Sequence, residues 1–215
     1  MTKLQGQKKQ WTPVRVMMAL IGVIITGVSI GMFQKAEMGT DPFTAFVTGI
    51  ANVFSSGYGT FYPIIVAILL VGVALLQRRY IGVATILNLF LCGVAADWTK
   101  KLLDHWMGDI VLWQKLILLA VTLLLACLSA SLYFTADLGV SGYDAWALMA
   151  ANEYHLAPFR LCRVVLDVVC VSVGFFLGAT VGIGTVLQAL CMGPVVQWFN
   201  THLSEPLVAA PAKRL

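Results

Sequence analysis

Charge is what this sequence has least of. Lys and Arg number 14 and Asp and Glu 10, so charged residues make up 11% of the 215, against about 25% in a soluble domain. A water-facing surface cannot be built from so few, which excludes a soluble globular fold. Signatures of catalysis are missing as well. The chain has no HExxH, no GxSxG, no P-loop and no paired-cysteine motif, so the common routes to a metal, a serine nucleophile or a bound nucleotide are closed. Its five cysteines, Cys92, Cys127, Cys162, Cys170 and Cys191, all fall in apolar runs and read as small packing residues. His105, His155 and His202 stand far apart in connectors. No metal site and no cofactor is expected, and without an ATPase motif any energy input has to be an ion gradient or a partner.

What fills the space is apolar. Hydrophobic residues make up 60% of the chain and the mean hydropathy is +0.88. The apolar runs do not alternate with polar residues, as strands of an outer-membrane barrel would. The expected class is therefore an all-α membrane protein whose main partner is the lipid bilayer. The net charge of +4 sits mainly at the termini and in short loops. There it reports orientation, not nucleic-acid binding.

Two polar interruptions organise the apolar runs. The first is Ala36-Glu37-Met38-Gly39-Thr40-Asp41-Pro42-Phe43-Thr44-Ala45-Phe46, the second Ala136-Asp137-Leu138-Gly139-Val140-Ser141-Gly142-Tyr143-Asp144-Ala145-Trp146. They lie 100 residues apart, and the same offset aligns Ser29 with Ser129, Asn52 with Asn152, Gly82 with Gly182, Thr85 with Thr185, Asn88 with Gln188 and Trp98 with Trp198. Polar residues, Gly and Trp matched at one offset are hard to obtain by chance, and we read an internal duplication. The chain divides into a tail at 1–13, a first repeat at 14–98, a connector at 99–113, a second repeat at 114–199 and a tail at 200–215.

Each repeat predicts three spans and one short helix. The spans are Val14 to Phe33, Phe61 to Leu76 and Gly82 to Trp98, then Lys115 to Thr135, Leu161 to Leu177 and Val181 to Trp198. The short helices run from Pro42 to Phe54 and from Tyr143 to His155. Asp41 before Pro42 is a good helix start, and Ser141 caps the second copy. At about 13 residues these helices fall short of the roughly 20 a hydrocarbon core requires, so they re-enter, lie at the interface or cross with a tilt. The tail from Asn200, with Pro206 and Pro211, is expected to fray. Three crossings per half put the N-terminus, Arg78/Arg79, Arg160/Arg163 and Lys213/Arg214 on one side, which the positive-inside rule makes the cytoplasm. Lys35, Lys100, Lys101 and Lys115 then face out. The second half is inverted relative to the first, a recurring plan of secondary transporters.

Met38-Gly39-Thr40-Asp41-Pro42-Phe43 and Leu138-Gly139-Val140-Ser141-Gly142-Tyr143-Asp144, set in about six spans, resemble the bacterial YczE/YyaS/YitT-like membrane proteins. The likeness covers residues 14–199. It implies a multi-pass protein of the bacterial cytoplasmic (inner) membrane and names no substrate. The second copy departs from the first at Ser141-Gly142, so a role of Asp41 does not transfer to it.

Ionisable residues inside a membrane cost about 2.5–3.5 kcal/mol on insertion scales and usually face a cavity or each other. The candidates are Arg160, Arg163 and Asp167. Arg163 and Asp167 are four apart and share a helix face. One reading is an anion or carboxylate clamp; the other is a snorkelling Arg pair with a structural partner. Asp41 is a helix cap, or a cation or proton site. Asp144 lies in the first turn of the second short helix, where a negative charge favours the dipole. Asn88 and Gln188 line a polar path or hydrogen-bond between helices. Glu37, Gly39 and Pro42, and Asp137, Gly139, Ser141 and Gly142, carry the repeat motif, with Glu37 and Asp137 as loop-surface carboxylates. Gly27 and Gly31, and Gly174, Gly178 and Gly182, read as close-packing positions; Trp98 and Trp198 read as interface anchors. The expected function is a small transporter or permease working by alternating access, with a small-molecule or anionic ligand and a homodimer as conceivable partners. The alternatives are a non-transporting scaffold or regulator and, less favoured, an enzyme on a lipidic substrate.

Overall fold

The computed structural model describes residues 12–212. Lys3, Lys8, Lys9, Lys213 and Arg214, and the side chains of Phe159, Arg160 and Cys191, lie outside the described residues. Nine α-helices follow one another among those described: α1 Pro13–Ala36, α2 Pro42–Val53, α3 Tyr58–Leu76, α4 Val83–Met107, α5 Leu112–Ala136, α6 Gly142–Asn152, α7 Phe159–Phe176, α8 Ile183–Phe199 and α9 Glu205–Ala212. A short 3-10 turn at Arg78–Tyr80 and a π-helical turn at Asn200–Ser204 complete the described elements, and no strand occurs among them.

Local chemistry sets most boundaries. The helices α1 and α5 both end on an acidic residue in the left-handed region, Glu37 at φ 53° and Asp137 at φ 51°. Each is followed by a glycine at φ +106° or +115°, Gly39 or Gly139, a conformation only glycine adopts cheaply. The next helix then starts on a side-chain cap. The Asp41 carboxylate accepts the Thr44 N–H at 3.1 Å, and the Ser141 hydroxyl accepts the Asp144 N–H at 3.1 Å. Pro42 occupies the first turn of α2, where its missing N–H costs nothing.

Two boundaries differ from expectation by more than one helical turn. The third apolar run was expected to stop at Trp98, but α4 continues to Met107. Apolarity ends near Trp98, yet no Gly or Pro intervenes before Gly108. The extra turns are held by Lys100–Asp104, an i,i+4 pair at 3.2 Å, and by Lys35–Asp104 at 2.8 Å. The tail expected to fray from Asn200 instead continues as helix. Ser204 pairs with Ser131 of α5 at 2.6 Å, and Thr135 donates to Asn200 at 3.4 Å. These tie the π turn to α5.

The packing centres on α1 and α5, which run antiparallel. Arg15, at the start of α1, donates to the Ala136 carbonyl at the end of α5 at 3.1 Å. Glu37, just past the end of α1, pairs with Lys115 at the start of α5 at 2.8 Å. Close approach is set by small residues. A Cβ on Gly22 would lie 3.2 Å from the Ser129 carbonyl on α5. On Gly27 and Gly31 it would lie 2.7 Å from the Cys92 carbonyl and 2.5 Å from the Ala96 carbonyl on α4. The short helices cross over to the other half. A Cβ on Gly174 of α7 would meet the Ala45 carbonyl of α2 at 2.6 Å, and one on Gly142 of α6 would meet the Val66 carbonyl of α3 at 3.3 Å.

The two glycine turns dock reciprocally. The Ala84 N–H of α4 donates to Leu138 O at 3.1 Å, and the Gly184 N–H of α8 donates to Met38 O at 2.7 Å. Gly82 abuts Leu138 and Gly139 as Gly182 abuts Met38 and Gly39. Each half thus seats its last long helix on the turn of the other half. This explains why Gly82, Thr85, Gly182 and Thr185 stand in register.

Among the described residues, three helices are long and apolar enough to cross a membrane: α1, α3 and α5. α8 has 17 residues, α7 carries Arg160, Arg163 and Asp167, and α4 ends in a charged extension. These three nevertheless expose apolar stripes at helical spacing. Ile86, Phe90, Val94 and Trp98 do so on α4, Leu161, Val165 and Val168 on α7, and Ile183, Val186 and Leu190 on α8.

Candidate functional site

Inside this packing lies a cavity of about 790 Å³. Six of the seven ligand-binding candidates line it: Asp41, Asn88, Asp144, Arg163, Asp167 and Gln188. They come from α2, α4, α6, α7 and α8, so the fold collects residues far apart in sequence. Of the motif residues, Pro42 and Ser141 also line the cavity. Glu37 does not. It is exposed, pairs with Lys115 and borders a second cavity of about 660 Å³. Asp137 is exposed at its turn, and Gly39, Gly139 and Gly142 serve helix docking.

The ionic heart of the cavity is Arg163. Its Nη1 donates to the Asp144 carboxylate, and its Nε donates to Asp167 Oδ1 at 3.2 Å. The spacing of Arg163 and Asp167 already implied a pair; the reach to Asp144, on another helix, did not follow from it. Tyr143 extends the network. Its hydroxyl donates to Asp167 Oδ1 at 2.5 Å, and its ring lies 4.6 Å below the Arg163 guanidinium, a cation–π distance. Ser141 donates to Asp144 Oδ2 at 2.8 Å while also capping α6. Arg163 therefore faces inward in an ion triad, not outward as a loop charge, and its weight in the orientation argument is withdrawn.

Aromatic residues form much of the remaining wall. Phe43 stacks on Tyr143 at 4.8 Å and meets Tyr62 edge-on at 6.1 Å. Phe43 and Tyr143 are repeat counterparts, a signal visible in the sequence and not used. The Tyr62 hydroxyl donates to Asn88 Oδ1, so Asn88 both bonds between helices and borders the cavity. Gln188, its counterpart, is 4% exposed, and among the described residues its Oε1 has no hydrogen-bond partner. Thr26 and Ser129 pair at 2.5 Å on the α1–α5 seam and also line the cavity. No group of three His, Cys, Asp or Glu among the described residues is placed to hold a metal ion. Cys92, Cys162 and Cys170 are buried and, among the described residues, outside any disulfide.

Phe33 on α1 borders both cavities and is 1% exposed. On its far side Asp97 accepts the Gly59 N–H at 3.0 Å. Beyond lies the ion-paired end of α1, α4 and α5. There the Lys115 hydrogen bond holds Glu37 below the usual carboxylate range, and the Lys35 hydrogen bond does the same for Asp104. At the end of α3, Arg79 and Glu153 pair, with Tyr80 also donating to Glu153 at 3.2 Å.

Residues 13–201 match the model of a family of unknown function, DUF6198. The chain belongs to that family. An uncharacterised protein of Haemophilus influenzae (strain ATCC 51907 / DSM 11121 / KW20 / Rd) is 31% identical over 182 residues, covering 84% of this chain and 80% of the relative. The uncharacterised protein YyaS of Bacillus subtilis (strain 168) is 22% identical over 188 residues, 87% of this chain and 90% of the relative. The uncharacterised membrane protein YczE of the same strain is 24% identical over 196 residues, 89% and 87% of the two chains. The YczE/YyaS likeness carried by the two glycine turns is thus shown for this DUF6198 chain. No solved structure matches it.

Proposed function

We propose that the chain is a small transporter or permease of the bacterial cytoplasmic membrane that works by alternating access between its two halves. The observation that carries this reading is the cavity of about 790 Å³. It places Asp41, Asp144, Arg163 and Asp167 inside a molecule whose outer faces are apolar. Ionisable groups held in such a medium are costly and usually serve a pathway, and the volume falls within the roughly 300–1,000 Å³ of small-molecule sites.

Three further features support it. The repeat-matched helices α1 and α5 run antiparallel, as inverted halves require. The exposed stripes on α4, α7 and α8 suit six crossings with both termini in the cytoplasm. Phe33 stands between the site and a polar vestibule, where a gate belongs.

The test is accessibility. Thr26 lines the cavity, and Thr26→Cys in a cysteine-free background is expected to react with a membrane-impermeant maleimide from either face of oriented vesicles. Labelling from neither face, in folded protein, would favour a scaffold or regulator and sink the transporter reading.

A further inference from the structure

The wall of the cavity is poorly made for an anion. Its one basic residue among the described lining is Arg163, and that guanidinium is already engaged by Asp144 and Asp167. The N-terminal ends of both short helices are occupied by the chain's own oxygens, Asp41 on α2 and Ser141 on α6. An incoming anion would have to displace a carboxylate to find a donor.

The same wall is well made for positive charge. Three carboxylates face one guanidinium, and the third, Asp41, accepts from Thr44 with no ion pair to it among the described residues. Gln188 also lines the cavity; it is 4% exposed, and among the described residues its Oε1 has no hydrogen-bond partner, a buried polar group that a bound molecule would satisfy. Phe43 and Tyr62 add aromatic rings to the wall, while Tyr143 is taken up by Phe43 stacked at 4.8 Å and the Arg163 guanidinium at 4.6 Å. A bare inorganic cation is a poor occupant. Among the described residues no three His, Cys, Asp or Glu side chains are placed to hold one.

We infer that the cavity takes a lipophilic organic cation, with Asp41 as its counter-ion and Phe43 and Tyr62 as the aromatic part of its wall. The inference deepens the transporter reading and rests on the same cavity.

Its test is a pair of probes of one shape and opposite charge, tetraphenylphosphonium and tetraphenylborate, in equilibrium dialysis against the detergent-purified full chain. The phosphonium is expected to bind saturably and the borate at least about tenfold more weakly, as one desolvated charge contact allows. Asp41→Asn is expected to lower phosphonium affinity about tenfold and Asp41→Glu to retain it. Asn is as good a helix cap as Asp, so the loss reports charge and not folding. Borate binding as tight as the phosphonium's, no saturable phosphonium binding, or an Asn variant equal to wild type would each overturn the inference. Labelling of Thr26→Cys keeps the two readings apart. Two-sided labelling without charge preference removes the cation site and leaves the transporter. Charge-selective binding with labelling from neither face removes the transporter and leaves the cation site.

Discussion

Arg163 shows how much one residue can depend on groups the sequence does not place beside it. Its pair with Asp167 was legible from a spacing of four on one helix. Its pair with Asp144 was not, because α6 and α7 come together only through tertiary packing, and no local pattern encodes which face of α6 turns inward. The consequence is energetic. Removing one member of a buried ion network leaves uncompensated charge and typically costs about 3–5 kcal/mol, whereas removing the whole network is often tolerated. Arg163→Gln alone, which leaves Asp144 and Asp167 facing each other's charge, is therefore expected to lower the melting temperature in detergent sharply or to abolish monodisperse protein. The triple variant Arg163→Gln/Asp144→Asn/Asp167→Asn is expected to recover most of that loss. A triple variant no more stable than the single one would mean that the guanidinium holds the helices by shape and stacking on Tyr143 rather than by charge. Asn88 and Gln188 teach the complementary lesson. The fixed offset marked them as counterparts, but only the fold could reveal that one is satisfied by Tyr62 and the other is left with an open acceptor.

At the scale of elements, apolarity and capping chemistry located the helices well, and they failed where a helix outruns its apolar run. The cap residues Asp41 and Ser141 marked the starts of α2 and α6. Hydropathy, by contrast, marks where lipid contact ends, so the polar extension of α4 to Met107 and the helical continuation after Asn200 were invisible to it. The glycine turns are where elements from the two halves meet, and they carry a sharp prediction. Gly139 sits at φ +115°, and a Cβ there would lie 2.6 Å from Gly82 N and Thr85 Oγ1. Gly108 also has positive φ, +54°, but nothing lies within 4 Å of its Cβ position. Gly108→Ala should cost only the backbone strain of its φ +54°, ψ −137° conformation, about 1–3 kcal/mol. Gly139→Ala adds a collision with a docked backbone, about 1–3 kcal/mol more. It should also loosen α4 from the second turn. Melting curves of the two variants compare the terms directly, and equal destabilisation would mean that the turn yields without disturbing the docked helix.

The whole molecule has two unlike ends, and its pH response should reveal them. The helical class and the membrane setting were legible from composition and hydropathy. The gathering of Lys35, Lys100 and Lys115 with Asp104 and Glu37 into one ion-paired end was foreshadowed only by the placing of those lysines on the outward side. Lys35 reaches Asp104 at 2.8 Å and the Gly108 carbonyl at 2.6 Å, fastening the end of α1 to the end of α4, while Lys115 fastens α5 to Glu37. Both carboxylates are held below their ordinary range by these lysines. A carboxylate depressed in the folded state stabilises it above the unfolded value, near about pH 4, and that contribution is lost as the pH falls through the folded value. The pairs are therefore worth their full amount at neutral pH and nothing in strong acid. That amount is small, a few tenths of a kcal/mol per pair, because the Asp104 and Glu37 side chains are 44% and 67% exposed and solvent screens them. Lys35→Gln/Lys115→Gln is accordingly expected to melt slightly below wild type from about pH 5 to pH 8, with the gap closing toward pH 3 and shrinking in high salt. Comparing the two proteins isolates the lysine pairs from every group the proteins share. A gap that persisted at pH 3 would assign the stabilisation to the lysine stems packed along α1 and α5, and a gap that widened in acid would contradict the assigned direction of both carboxylate shifts.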